Sequence, residues 1–382
     1  MYLYIKMKMG FNTSGNSSTS RRTTQAVNLG YLRNRIASTT RKFNYCKEHS
    51  ANPSLCINQF INIAPQTQST DGALQVMVEL GGLVLTSNDY GVSFYPFQVS
   101  GNPQLGLVKT SYDGTHKVAI SENDYDLYLF INNTWTITPN QFTNIDISSD
   151  GKYQTATNQS DNTLYRSTDY GNNWAPVTSD VIYQISISLS SSGQQQVIAS
   201  SSDFGAGTIY KSNNYGITWT QTNIVTNSWI YANISGDGSI ITAGSIEEDA
   251  EGIIQYSLDN GNNWSTATVN WSTETPVGLR FAGNICSSYN GQYQAFISYF
   301  TLNGGPPGFI YVSTDGGVTW NKANVPELTY TSIAISNSGK YISAVAKNDD
   351  ATLFSYFRSV NYGQTFEQIN YGTVSLTGID IN

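Results

Sequence analysis

The chain of 382 residues is poor in the groups that build catalytic and metal centres. Its two histidines, His49 and His116, lie far apart with no cysteine at zinc-binding spacing, so no metal centre is expected. Three cysteines are too few for a disulfide framework: Cys46 and Cys56 can close one loop in an oxidising setting, and Cys286 reads as a small buried apolar residue. No Gly-x-Ser-x-Gly elbow, phosphate loop or Cys/His dyad occurs, and no cofactor is implied. The absence of any run of about 18 apolar residues excludes a membrane-spanning helix, and residues 1–9 are too short and too interrupted by Lys6 and Lys8 for a signal peptide.

What the chain does have is a repeat. Six times a Ser is followed by any residue, Asp or Asn, any residue, Gly, any residue, a small polar residue and an aromatic ring, at 87–94, 167–174, 212–219, 257–264, 313–320 and 359–366. The copies carry Asp89, Gly91 and Phe94; Asp169, Gly171 and Trp174; Asn214, Gly216 and Trp219; Asp259, Gly261 and Trp264; Asp315, Gly317 and Trp320; and Asn361, Gly363 and Phe366. The one double-length gap holds a worn copy at 128–135 that keeps Trp135 but has lost its Asp and Gly, which makes seven units. In a tight hairpin the Asp or Asn accepts backbone N–H groups and the Gly supplies a positive φ. Because Asn serves as well as Asp in two copies, the role does not depend on charge. The aromatic ring then anchors the turn between neighbouring sheets.

A second Gly turn precedes each box, at Gly72, Gly114, Gly151, Gly193, Gly238, Gly291 and Gly339, after alternating runs such as 144–148, 186–190 and 332–336. Period-2 alternation predicts strands. Each unit therefore reads as inner strand a, Gly turn, strand b, loop, strand c, box turn and outer strand d. Residues 373–382 have the form of one more strand a, which predicts that the C-terminus completes the first unit and removes an exposed sheet edge. The expected fold is an all-β, seven-bladed β-propeller over 57–382, preceded by an arm, 1–56, with a short helix at about 24–37.

These boxes resemble the Asp-box, or BNR-repeat, propellers found in sialidases, sortilin-type receptors, some endoglucanases and photosystem II assembly factors. The resemblance covers roughly residues 61–382. It implies a fold rather than an activity, since in that group the box is a structural turn remote from the active site. A sialidase would need an arginine triad and an Arg-Ile-Pro motif, whereas the propeller region holds only Arg166, Arg280 and Arg358 and no such motif. An endoglucanase-type glycosidase would need two opposed carboxylates. Aligning the units on their Gly turns puts Lys109, Asp146, Ser188, Asn233, Cys286 and Ala334 in one register, with Asp380 on the last strand. Of these, Lys109, Asp146, Ser188, Asn233 and Asp380 are the candidates for a polar channel lining.

Loop length marks a candidate binding face. The step from Gly261 to Gly291 and that from Gly291 to Gly317 are the longest of their kinds, and both enlargements fall in d–a or b–c loops, opposite the boxes. Phe204, Glu247, Glu248, Asp249, Glu251, Trp271, Pro306 and Pro307 are the binding-face candidates there. The acidic groups 122–126 and 247–251 lack the pattern of a dedicated calcium loop and read as solvated loops.

Charge is divided along the chain. Residues 1–60 carry nine Lys and Arg against Glu48 alone, whereas the remainder carries ten against twenty-six acidic residues. The arm is thus expected either to hold an acidic partner (a protein assembly, nucleic acid or an anionic membrane) or to fold back on its own acidic propeller. Taken together, the sequence reads as a non-enzymatic interaction or structural module, anchored by its arm and binding protein or glycan through the loop face. Its composition resembles a component of a viral particle or a surface attachment protein. The alternative is a glycoside hydrolase using the channel carboxylates.

Overall fold

A computed structural model describes residues 71–158, 161–179, 181, 184–200, 207–245, 252–271, 280–300, 308–347, 354–372 and 375–382. The arm at 1–56 with the helix expected at about 24–37, and Phe204, Glu247, Glu248, Asp249, Glu251, Pro306 and Pro307, lie outside them. Among the described residues there is no helix, and the strands form seven sheets. Each sheet is built on an antiparallel a–b–c–d meander, to which blade 6 adds a fifth strand, so the a–b and c–d turns share one face of the ring and the b–c and d–a loops the other. The protein is a seven-bladed β-propeller.

Blade 1 takes its inner strand from the C-terminus. Leu376–Ile381 pairs antiparallel with Gln75–Glu79, ahead of Leu83–Ser87 and Tyr95–Gln98. The Gly72 N–H donates to the Asn382 carbonyl at 2.7 Å, so the first described turn meets the residue that follows the C-terminal strand. This seam closes the ring and leaves no inner edge to pair with another chain.

The blades are held together by apolar seams. Seven clusters of buried residues form, each drawn from two adjacent blades, and each receives one box aromatic. Trp320 is fully buried with Ile254 of blade 5 and Phe296 and Tyr311 of blade 6. Phe94 meets Tyr356 of blade 7 edge-on at 5.4 Å. Trp135 occupies the same place between blades 1 and 2, although its turn has shrunk to Asn132 and Asn133, both at positive φ. The ring was retained where the box was lost.

The box hydrogen bonds are the same in all six copies. The Ser hydroxyl donates to the Asp or Asn Oδ1 at 2.8–3.0 Å and accepts the box Gly N–H at 2.8–3.0 Å. The same Oδ1 accepts the backbone N–H of the small polar residue at 2.8–3.0 Å. At Asp169 the second oxygen accepts the Asn173 amide, whereas the Asn214 amide donates to Thr218 instead. Swapping the direction of one bond is what makes Asp and Asn interchangeable here. The Trp174, Trp219 and Trp320 indoles donate to the carbonyl of their own box Gly at 2.9–3.2 Å, while the Trp264 indole has no partner among the described residues.

A second set of polar contacts crosses the seams. Gln75, Gln154, Gln196 and Gln294 start their b strands, and each donates its amide to the Gly carbonyl of its own a–b turn at 2.9–3.2 Å. Their Oε1 atoms look to the preceding blade for a hydroxyl: Thr155 serves Gln196 at 2.8 Å, Thr242 serves Gln294 at 2.7 Å, and Ser343 serves Gln75 at 2.9 Å. For Gln154 the equivalent position is Val118, and its Oε1 is buried without a partner. Val118→Thr is therefore predicted to raise unfolding stability by about 1 kcal/mol, the usual net value of one such bond. Val197→Thr is the control, because the position it faces in blade 5 is Ile241 rather than Gln, and it should cost about 1–3 kcal/mol for a buried hydroxyl without an acceptor. Chemical denaturation of both variants checks the pair; equal effects would refute the ladder.

Candidate functional site

The seven inner strands enclose an axial cavity of about 380 Å³. Blade 2 supplies Leu105–Thr110, blade 3 Asn144–Ile147, blade 4 Gln184–Leu189, blade 5 Trp229–Ile234, blade 6 Arg280–Ser287 and blade 7 Thr329–Ile335. Lys109, Asp146, Ser188, Asn233, Cys286, Ala334 and Asp380 all line it. Alternation explains this placement: in blade 3, for example, Ile145 and Ile147 enter the seam with blade 2, so Asp146 between them turns to the axis.

The charged members stand together in blades 1, 2 and 3. Lys109 Nζ lies 3.2 Å from Asp146 Oδ1. Asp146 Oδ2 accepts the Leu189 N–H of blade 4 at 2.7 Å, and Asp380 Oδ2 accepts the Thr110 N–H of blade 2 at 2.8 Å. Each carboxylate therefore ties its inner strand to the next. Neutral residues do the same elsewhere: Ser188 accepts the Ile234 N–H at 3.2 Å, and Ser332 accepts the Ile379 N–H at 3.3 Å.

Burial pushes the Asp380 carboxyl up to about 6, while Lys109 and the Thr110 N–H pull it down. For Lys109 burial opposes the charge, but Asp146 and then Asp380 outweigh it and hold the ammonium above the usual lysine range. Burial pushes the neighbouring Cys286 thiol up to about 12, which leaves it a poor nucleophile. Among the described residues no three His, Cys, Asp or Glu side chains meet to hold a metal.

Two of the propeller arginines and one lysine serve the boxes. Arg166 Nε donates to the Tyr215 carbonyl of the next blade at 2.8 Å, Lys211 to the Asn260 carbonyl at 2.6 Å, and Arg358 to the Tyr90 carbonyl at 3.3 Å. These acceptors belong to box residues at positive φ, so the cations clamp one blade to the following box. Neither Arg166 nor Arg358 reaches the channel lining. Arg166 and Arg358 each immediately precede a box Ser, an equivalent position of strand c that reads as an outer structural register, and Lys211 shares it; the acceptor itself, more than 45 residues away in the following box, is not signalled locally.

Trp271 differs from its expected place on an exposed loop. Thr268–Asn270 adds to the rim of blade 6 as a fifth strand, parallel to Thr319–Lys322. Trp271 follows it and is half-buried, 5.2 Å from the Tyr311 ring and 6.0 Å from that of Phe296. Its ring packs on the blade because it prolongs the strand that covers the blade edge. The long step from Gly261 thus spends its first part on packing.

Asp380 binds its proton more tightly in the folded chain than at its ordinary value of 3.8. Its protonation therefore supports folding fully below that value, and this support is lost as pH rises through about 6. The Lys109 and Cys286 partners titrate above this window. Asp380→Asn keeps an acceptor for the Thr110 N–H and removes the titration. The predicted outcome is that, between pH 3.8 and about 6, the parent loses stability relative to the variant. Parallel pH profiles of the denaturation midpoint would contradict it.

Comparison with known proteins bears on the fold. Family models described as BNR/Asp-box repeat and BNR-Asp box repeat match residues 311–322 and 209–222. No curated protein matches the chain in sequence. Among solved structures, a functionally unknown protein from Desulfotomaculum acetoxidans is similar at 12% identity and TM-score 0.54, over 81% of this chain and 98% of that one. YCF48 bound to D1 peptide is similar at 15% identity and TM-score 0.52, over 78% and 94%. The Cps50 (Swd1) β-propeller domain of Myceliophteria thermophila is similar at 10% identity and TM-score 0.51, over 74% and 94%. At such identities the likeness is one of architecture. Both matched segments are box turns of the seven-bladed ring, so the comparisons show a β-propeller that carries BNR/Asp-box repeats.

Proposed function

We propose that the chain is a non-enzymatic interaction module, tethered to a larger assembly by its basic segment 1–56 and presenting the b–c and d–a loop face to a protein or glycan partner. The observation that carries this reading is the use to which the acid–base groups are put. Asp146 and Asp380, the carboxylates an endoglucanase-like reaction would need, hold the N–H groups of neighbouring inner strands, and Arg166 and Arg358, which a sialidase would need, clamp boxes. The similar YCF48 propeller is described with a bound D1 peptide, which supports a protein partner. The charge division supports the tether, because a segment with nine cations and one anion gains most from an anionic surface.

One observation favours a glycoside hydrolase as the second reading. Asp380 is held near 6 while Asp146 is paired with Lys109, and such a division of environments is what an acid and its partner carboxylate require. A single comparison separates the two. The full chain and a form lacking residues 1–56 are measured for thermal unfolding, for salt-dependent retention on an immobilised polyanion, and for hydrolysis of a panel of polysaccharides. Tethering predicts equal melting temperatures, loss of retention on truncation, elution of the full chain by salt, and no hydrolysis. A truncated form that fails to fold or is retained equally would overturn the tether; hydrolysis abolished by Asp380→Asn would establish the enzyme.

A further inference from the structure

When ionised, the three charged side chains of the channel wall sum to one negative charge, and the wall facing them is neutral, with Ser188, Asn233 and Ala334. An uncompensated carboxylate inside a narrow protein channel focuses its field on whatever enters. Solvent reaches this point, since the Lys109 side chain is 34% exposed. The cavity of about 380 Å³ has the size of a small-ligand site.

We propose that the channel binds a primary ammonium group, seated between the Asp146–Asp380 side and the neutral wall opposite. The acceptors decide the class of ligand. Each carboxylate already gives one oxygen to a backbone N–H, and Asp146 gives the other to Lys109. That leaves too few oxygens for a hard cation, which takes six to eight. An ammonium has three N–H donors to place, and a carboxylate with neutral oxygens suffices. Asn233 spends its amide N–H on Ser188 at 3.3 Å and keeps its carbonyl to accept. An anion would meet a net negative wall whose one cation is already paired. Lys109 is the internal competitor for the same carboxylates, so its removal should tighten binding.

A free alkylammonium and a lysine side chain share this chemistry. Calorimetric titration of the full chain with n-butylammonium, with the tripeptide Gly-Lys-Gly acetylated at its N-terminus and amidated at its C-terminus, and with its equally capped norleucine counterpart tells them apart. Saturable binding is expected for one or both amines and none for norleucine. Binding should weaken about tenfold in Asp380→Asn, a loss of about 1.4 kcal/mol, strengthen in Lys109→Met, and weaken as pH falls below about 6, where Asp380 takes up its proton. Should either variant fail to fold, the pH dependence of the parent chain decides the matter. No saturable heat, equal binding of norleucine, or binding unaffected by pH would overturn the site. None of these readouts depends on the basic segment, so failure here and failure of the tether are distinguishable.

Discussion

A four-stranded blade cannot bury both of its faces, and this constraint governs the rest of the molecule. Each blade gains its core only by lying against two neighbours, so the apolar clusters sit between blades rather than within them. Such a ring is stable only when every seam is made. The C-terminal strand makes the last one, pairing with Gln75–Glu79 and reaching both flanks: Thr377 donates to the Leu105 carbonyl of blade 2 at 2.7 Å, and the Ile379 N–H donates to the Ser332 hydroxyl of blade 7 at 3.3 Å.

The turns of the box face add a polar counterpart to the apolar seams. Backbone N–H groups of successive a–b turns donate around the axis, from Tyr112 to Ser149, Ser149 to Ser191, Ser191 to Gly236, Asp237 to Tyr289 and Tyr289 to Asn337, at 2.7–2.8 Å. At the closing seam a side chain takes over, and Ser338 donates to Asp71 at 2.9 Å. Rings stack outside this belt, with Tyr90 on Tyr341, His116 on Tyr170, Tyr153 on Tyr215 and Tyr293 on Tyr362 at 4.3–4.6 Å. In each pair a box residue of one blade covers a residue two positions past the turn Gly of the blade before it. The Asp-box face is thereby committed to holding the ring, which leaves the opposite loops free to vary.

Whatever depended on local pattern could be read from the chain before folding. The box spacing gives seven units because Ser, Asp, Gly and Trp act within one turn, and Trp135 shows the unit even where the turn chemistry is gone. The common register of Lys109, Asp146, Ser188 and Asn233 follows from period-2 alternation counted back from a Gly turn. The outer register of Arg166 and Arg358 was legible from their place before a box Ser, but the acceptors of these clamps and of Lys211, the Gln ladder and the fifth strand of blade 6 were not. Their partners lie in the neighbouring blade, and a long loop gives no sign that its first residues will pair with a rim. Trp271 illustrates the difference: an aromatic residue in a long connection suggests a binding loop, but the edge strand before it turns the ring onto Tyr311.

If ring closure by the C-terminal strand is what the seams depend on, removing residues 375–382 must expose the strand it covers. Hydrogen exchange measured on the truncated chain tests this most directly. The account predicts loss of protection in Gln75–Glu79, spreading to the blade 7 and blade 2 seams, with the distant blade 4 seam affected least. Protection of Gln75–Glu79 equal to that of the intact chain would contradict it.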